Sequence, residues 1–206
     1  MAGESAGGLL HAMVAGCLVA CRKICRVRVL VLILGFGYGA GAIPAESTGP
    51  AVPSLGPSEL AVIVNEEDPL SRKIAAYYAE KRDIPAGNIV PVHFPAGKKF
   101  MTTKKFARVM AEVTARVPES VQAYVLTWTA PYRVGCMSIT TAFAAGYNEA
   151  FCARGCKDTQ QSPYYNSNSH RPYDDFGWRP TMMLAGKDFG AVKALIDRGV
   201  AADGSR

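Results

Sequence analysis

The chain has 206 residues, 49% of them apolar, which is enough for one domain of ordinary size and leaves little for a second. Its formal net charge of +6 splits evenly. Half sits before Ala42, where Arg22, Lys23, Arg26 and Arg28 oppose only Glu4, and half is dispersed over the remainder. With no long basic run and no nucleic-acid module, DNA and RNA binding are excluded as the chain's business.

Residues 1–42 have the order of a signal peptide. A basic segment from Arg22 to Arg28 precedes an apolar run from Val29 to Gly37, and Ala40-Gly41-Ala42 supplies small residues for cleavage. The apolar run is much shorter than the roughly 20 residues that cross a bilayer. Export to the periplasm or the exterior is therefore expected, with no stable membrane span after cleavage; an uncleaved anchor is the alternative. The first twelve residues lack the basic charge such a segment carries, so Met13 is a candidate start. Val14-Ala15-Gly16-Cys17 has the form of a lipoprotein cleavage box but lacks the basic and apolar run that should precede it.

Residues 43–58, rich in Pro, Gly and Ser, read as a flexible lead-in to a single domain over 59–206. The run LAVIV at 60–64 predicts a strand buried on both faces, as in a parallel sheet. Asp68 and Pro69 then form an N-cap and first-turn pair, and Leu70, Ile74, Tyr77 and Tyr78 predict a helix over 69–82. A second strand is expected at 89–94, and Pro91 within it predicts an edge position, since proline cannot donate to a ladder. Phe106, Val109, Met110, Val113 and Val117 predict a helix over 103–117, capped by Thr102 or Thr103. A third strand follows at 121–127, a short fourth at 181–185, and Val192, Leu195, Ile196 and Val200 stripe a last helix over 190–202. Strand and helix alternating in this way predict an α/β fold of three layers, with crossover helices about a mostly parallel sheet of about four strands.

Ligands of such sheets collect beyond the carboxyl ends of the strands. Two sets of candidates stand there. Asn65, Asp68 and Ser71 follow the first strand at a helix N-terminus. Tyr132, Arg133 and Ser138 follow the third, where the guanidinium fork suits a carboxylate or phosphate. The polar, aromatic-rich stretch 158–180 is long for a loop without regular structure, which marks it as functional, and it adds Tyr164 and Asn166. It is expected to fold over the end of the third strand and to bring Asp174 or Asp175 to Arg133.

Cys17, Cys21 and Cys25 lie in the leader, leaving Cys136, Cys152 and Cys156. In an oxidising compartment one disulfide among these three, with one thiol left over, is expected, unless a further stretch of chain carries a partner. Zinc held by the three thiolates and His170, or a nucleophile pair of Cys136 with His93 or His170, are the competing arrangements. The spacing Cys152-x3-Cys156 suits one half of a zinc site, but the other half is no recognised pairing. The nucleophile pair has no local signature and an oxidising compartment favours the disulfide, so no metal and no cofactor is expected.

Four segments together resemble a family of exported bacterial proteins of uncharacterised function. They are ELAVIVNEEDPLSRKIAAYYAEKRDIPAGNIV (59–90), YVLTWTAPYRV (124–134), SITTAF (138–143) and ALIDRGVAADG (194–204). Members of that family continue past the last segment, so the resemblance implies a C-terminally truncated member. Many of them also carry Arg-Leu-Asp-Gly where this chain reads Leu184-Ala185-Gly186-Lys187-Asp188. The α/β layout has a more distant similarity to caspase-like peptidases of the gingipain type. These have a His-Gly segment after the third strand, where this chain has Ala130-Pro131-Tyr132-Arg133, so no catalytic residue carries over. The function expected is a ligand-binding or interaction module for an unidentified ligand or protein partner. A hydrolase with a site beside Arg133 and the 158–180 loop is the alternative.

Overall fold

A computed structural model describes residues 55–203 apart from 154 and 157. The expected leader and residues 43–54 of the lead-in lie outside the described residues. The main sheet contains β1 (Leu60–Asn65), β2 (Ile89–Val92), β4 (Ala123–Leu126) and β7 (Thr181–Met183), all parallel, in the order β2-β1-β4-β7. A small second sheet joins β3 (Phe100–Met101), β5 (Arg133–Val134) and β6 (Met137–Ser138). The helices are α1 (Pro69–Lys81), α2 (Thr103–Arg116), α3 (Ile139–Ala145), α4 (Pro172–Phe176) and α5 (Phe189–Ala201).

Successive side chains of β1 point to opposite faces, and both faces are covered. Ala61 and Ile63 enter one core with Tyr124, Leu126, Phe106 and Val109 of α2, and Phe143 of α3. Val62 and Val64 enter the other with Val125, Ile74 of α1, and Val192 and Ile196 of α5. The result is the three-layer α/β fold predicted from the continuous apolar run. Pro91 does lie on an edge strand, β2, whose one sheet partner is β1.

Helix starts follow their caps. Asp68 accepts from the Leu70 amide at 2.9 Å, Thr102 from the Lys105 amide at 3.2 Å, and Asp188 from the Ala191 amide at 2.8 Å. Some details depart from the expected elements. The segment after Arg133, for which no helix is expected, forms α3, capped by Ser138, and β2 and β4 are shorter than the strands expected at 89–94 and 121–127. Strand β7 stops at Met183, short of Ala185. Leu195, expected in the buried stripe, is 44% exposed, because β7 is the last strand of its sheet and offers nothing beneath that flank of α5.

The 158–180 stretch docks, but at the other end of the sheet from the one expected. Gln122 immediately precedes β4 and is fully buried. Its side-chain oxygen accepts from the Tyr173 and Asp174 amides, at 3.0 and 3.4 Å, and its amide nitrogen donates to Asp174 at 3.1 Å. Arg171 pairs with both Asp174 and Glu59. Asp175 accepts from Ser169. Arg179, also buried, donates through Nε to the Val121 carbonyl at 2.9 Å and lies 3.1 Å from the centre of the Tyr173 ring. The acids expected beside Arg133 are therefore committed at the amino end of β4, while Arg133 follows its carboxyl end.

Hydrogen bonding from Gln122, and then from Arg171, holds the Asp174 carboxyl below its ordinary 3.8. A carboxyl lowered on folding stabilises the docked loop above its ordinary pKa and loses that effect as pH falls through the folded value. The Tyr173 and Asp174 amides are thus expected to resist hydrogen exchange down to about pH 4 and to lose protection below it. Full protection persisting at about pH 2 would contradict this assignment.

Candidate functional site

The sheet order changes direction between β1 and β4, since β2 and β7 lie on opposite sides of that pair. The crevice beyond their carboxyl ends is the usual ligand position of an open α/β sheet. Here its polar groups satisfy one another. The Asn65 amide donates to Ser71 Oγ at 3.0 Å, Ser71 Oγ meets Thr127 Oγ1 at 2.8 Å, and Thr127 Oγ1 donates to the Ile63 carbonyl at 3.1 Å. With both ends of this relay fixed by backbone groups, the Ser71 hydroxyl must donate to Thr127. The Asn65 side chain spans to the next strand, donating to the Phe94 carbonyl at 3.0 Å and accepting from the Phe94 amide at 3.3 Å. Asn65, Ser71 and Thr127 are all 0% exposed. Asp68, half-buried, caps α1. This first candidate set is a closed brace that ties β1, β2, β4 and α1 together.

The second set opens to solvent. The chain leaves β4 through Trp128, whose Nε1 donates to the Pro131 carbonyl at 3.1 Å, and a cis Ala130–Pro131 bond leads into β5. Arg133 pairs across the strands with Ser138 on one side and Phe100 on the other. Its Nε donates to the Gly135 carbonyl at 2.9 Å and its guanidinium lies 4.5 Å from the Phe100 ring centre. Among the described residues it has no carboxylate partner. Tyr132 meets Phe100 edge to face, with centroids 6.0 Å apart. Ser138 is occupied as the α3 cap, accepting from the Thr141 amide at 3.0 Å and touching both Thr140 and Thr141 hydroxyls.

Beside this group is a cavity of about 300 Å³ between the end of β2 and the start of α2. Phe94, Pro95, Phe100, Met101 and Pro131 give it an apolar floor, and Lys98, Thr102 and Lys105 supply its polar groups. No acid lines it. Arg133 does not line it but lies over the ring of Phe100, which does. A larger hollow, about 550 Å³, runs along the flank of α2 by Ala107, Met110, Ala111 and Tyr147, with Lys104 its one charged lining residue. Charge converges on the smaller cavity and not on the larger.

Tyr164 and Asn166 are not brought to this place. Tyr164 packs near Phe176 of α4, and Asn166 takes a left-handed turn at φ 56°. Both belong to the segment that α4 carries to the amino end. Cys136 and Cys152 are joined at disulfide distance, with Cα atoms 5.3 Å apart, and Cys156 is the exposed thiol left over. That bond removes Cys136 and Cys152 from a zinc set and Cys136 from a nucleophile pair. His93 and His170 are both exposed, and among the described residues neither shares a hydrogen bond with a carboxylate, thiol or hydroxyl.

No family model, curated protein or solved structure matches the chain. Among the described residues, no helix is long and apolar enough to cross a membrane. The residues that sequence reasoning passed over are Lys98, Phe100, Lys105 and Phe94. A signal for them was present: from Ile84 to Ala111 there is not one acidic residue, while Lys98, Lys99, Lys104, Lys105 and Arg108 all fall inside.

Proposed function

We propose that the chain is an exported α/β binding module, related to the uncharacterised exported family it resembles, and that it takes a small organic anion in the cavity between β2 and α2. The observation that carries this reading is the pairing of an apolar floor with Lys98 and Lys105 in a hollow that no acid lines. Such a site desolvates the apolar part of a ligand while the ammonium groups meet its charge. Arg133 lies over the ring of Phe100, which is itself a lining residue, and so adds a third cation to the neighbourhood of the cavity. No described group beside the cavity pairs a nucleophile with a base, so the reading is one of binding and not of hydrolysis.

Phenyl phosphate supplies both halves of the ligand and is the probe of choice. Titrated into the full chain, it is expected to move amide resonances of residues 94–105 and to leave those along the α2 flank in place. Lys105→Glu should weaken it by about tenfold or more, because a charge-assisted contact becomes a repulsion. Equal binding of an aromatic amine such as benzylamine, or shifts centred on Ala107 and Ala111, would sink the proposal.

A further inference from the structure

We infer that the face carrying Phe100, Tyr132 and Arg133 docks onto a bilayer of anionic phospholipid, with the aromatic pair entering the headgroup layer. The inference rests on the cavity reading only in using the same basic loop, for which it names a partner. Phe100 is 54% exposed and Tyr132 45%, and the two rings are in contact, so they form one apolar prominence and not two scattered residues. Strands β3 and β5 hold it in a fixed position through the Phe100–Arg133 register. Next to Phe100 in sequence stand the exposed Lys98, Lys99 and Lys104 and the half-exposed Lys105, in a stretch with no acid from Ile84 to Ala111, and the exposed Arg133 lies over the Phe100 ring.

A partner for this face must answer two chemistries at once. A soluble polyanion would pair with the lysines and leave the rings in water. An apolar peptide would cover the rings and leave the lysines without counter-charge. An anionic bilayer meets both, because aromatic rings favour the headgroup boundary and each basic side chain near such a surface raises partitioning by a factor of about five.

The experiment is cosedimentation of the full chain with vesicles. Binding is expected to vesicles containing about 30% phosphatidylglycerol, to be far weaker with phosphatidylcholine alone, and to fall steeply as salt rises from about 0.1 to about 1 M. The double variant Lys99→Glu/Lys104→Glu reverses two exposed charges that do not line the cavity. It should lose partitioning by about 25-fold or more and still bind phenyl phosphate. In Tyr132→Trp, the indole should shift to the blue and be quenched by lipids brominated along the acyl chain, an effect no purely structural role produces. Three results would overturn the inference: equal partitioning to neutral vesicles, vesicle binding without quenching of the indole, or tight binding of heparin with none to the anionic vesicles. Failure with phenyl phosphate and success with vesicles would remove the cavity reading alone. The converse would remove the docking surface alone.

Discussion

Trp128→Ala is expected to lower the free energy of unfolding by about 3–5 kcal/mol, the range for truncating a fully enclosed aromatic side chain. Trp128 is 0% exposed. Its rings meet Phe94 edge to face at 5.0 Å and Phe143 at 5.9 Å, so it joins the end of β2 to α3 across the end of β4. Loss of the indole would open a void that residues on three different elements cannot close together. In urea, the transition midpoint should fall with little change of slope. Trp128→Phe retains most of the buried area and loses the bond to Pro131 with a smaller part of the volume, so about 1–2 kcal/mol is expected from it. Because Phe94 and Pro131 floor the cavity, phenyl phosphate affinity should fall in the alanine variant more than in the phenylalanine one. Equal stability of the two variants would show that the ring packing assigned here is not what holds this corner.

Asn65→Ala is the second large effect, at about 2–4 kcal/mol, and its origin is polar and not apolar. The Asn65 side chain accepts from the Phe94 amide and donates to the Phe94 carbonyl where both are buried, and it also accepts from the Glu67 amide in a half-buried bond. Alanine would leave these backbone groups without partners, and a buried group left so costs more than the bond itself was worth. Asn65→Asp is nearly the same shape but puts an oxygen where the nitrogen faces the Phe94 carbonyl, so it should be no milder than alanine. Hydrogen exchange gives the local test: the Phe94 amide should lose protection in Asn65→Ala before the amides of β4 do. A variant as stable as the parent would mean that the brace between β1 and β2 carries little of the fold.

The parts of the fold that could be read from the sequence are those with local cause. LAVIV has no polar position, so it must be covered on both sides; Asp68-Pro69 can begin a helix but not continue a strand; Pro91 cannot sit between two strands. The small sheet had no such signal, because strands of two residues, such as Phe100–Met101, contain no period. Arg133 is matched by sequence to the acids of the nearest aromatic-rich loop, which ignores the end of β4 to which each belongs. Gln122 decides that question, and it does so by bonding residues about fifty positions away, which composition does not encode. The candidate site was half legible: Tyr132 and Arg133 follow from the strand end, whereas Lys98 and Lys105 come from the far side of a loop that only the β3–β5 pairing brings near.

The placement of β4 in the middle of the parallel sheet also bears on how the chain reaches this state. Its two neighbours, β1 and β7, are each about sixty residues distant from it in sequence. Pairing of that range must close large loops before any contact repays the lost chain entropy, so the domain belongs with slow folders, in milliseconds to seconds and not microseconds. The unit β1-α1-β2 is local enough to form by itself as a transient nucleus, but one edge of its sheet stays unpaired until β4 arrives. During that interval the edge of β1 that will receive β4, flanked by Ala61, Val62, Ile63 and Val64, is open to any other nascent chain. The vulnerable moment for this protein is thus the wait for its own central strand, well before any exposed surface of the finished fold matters.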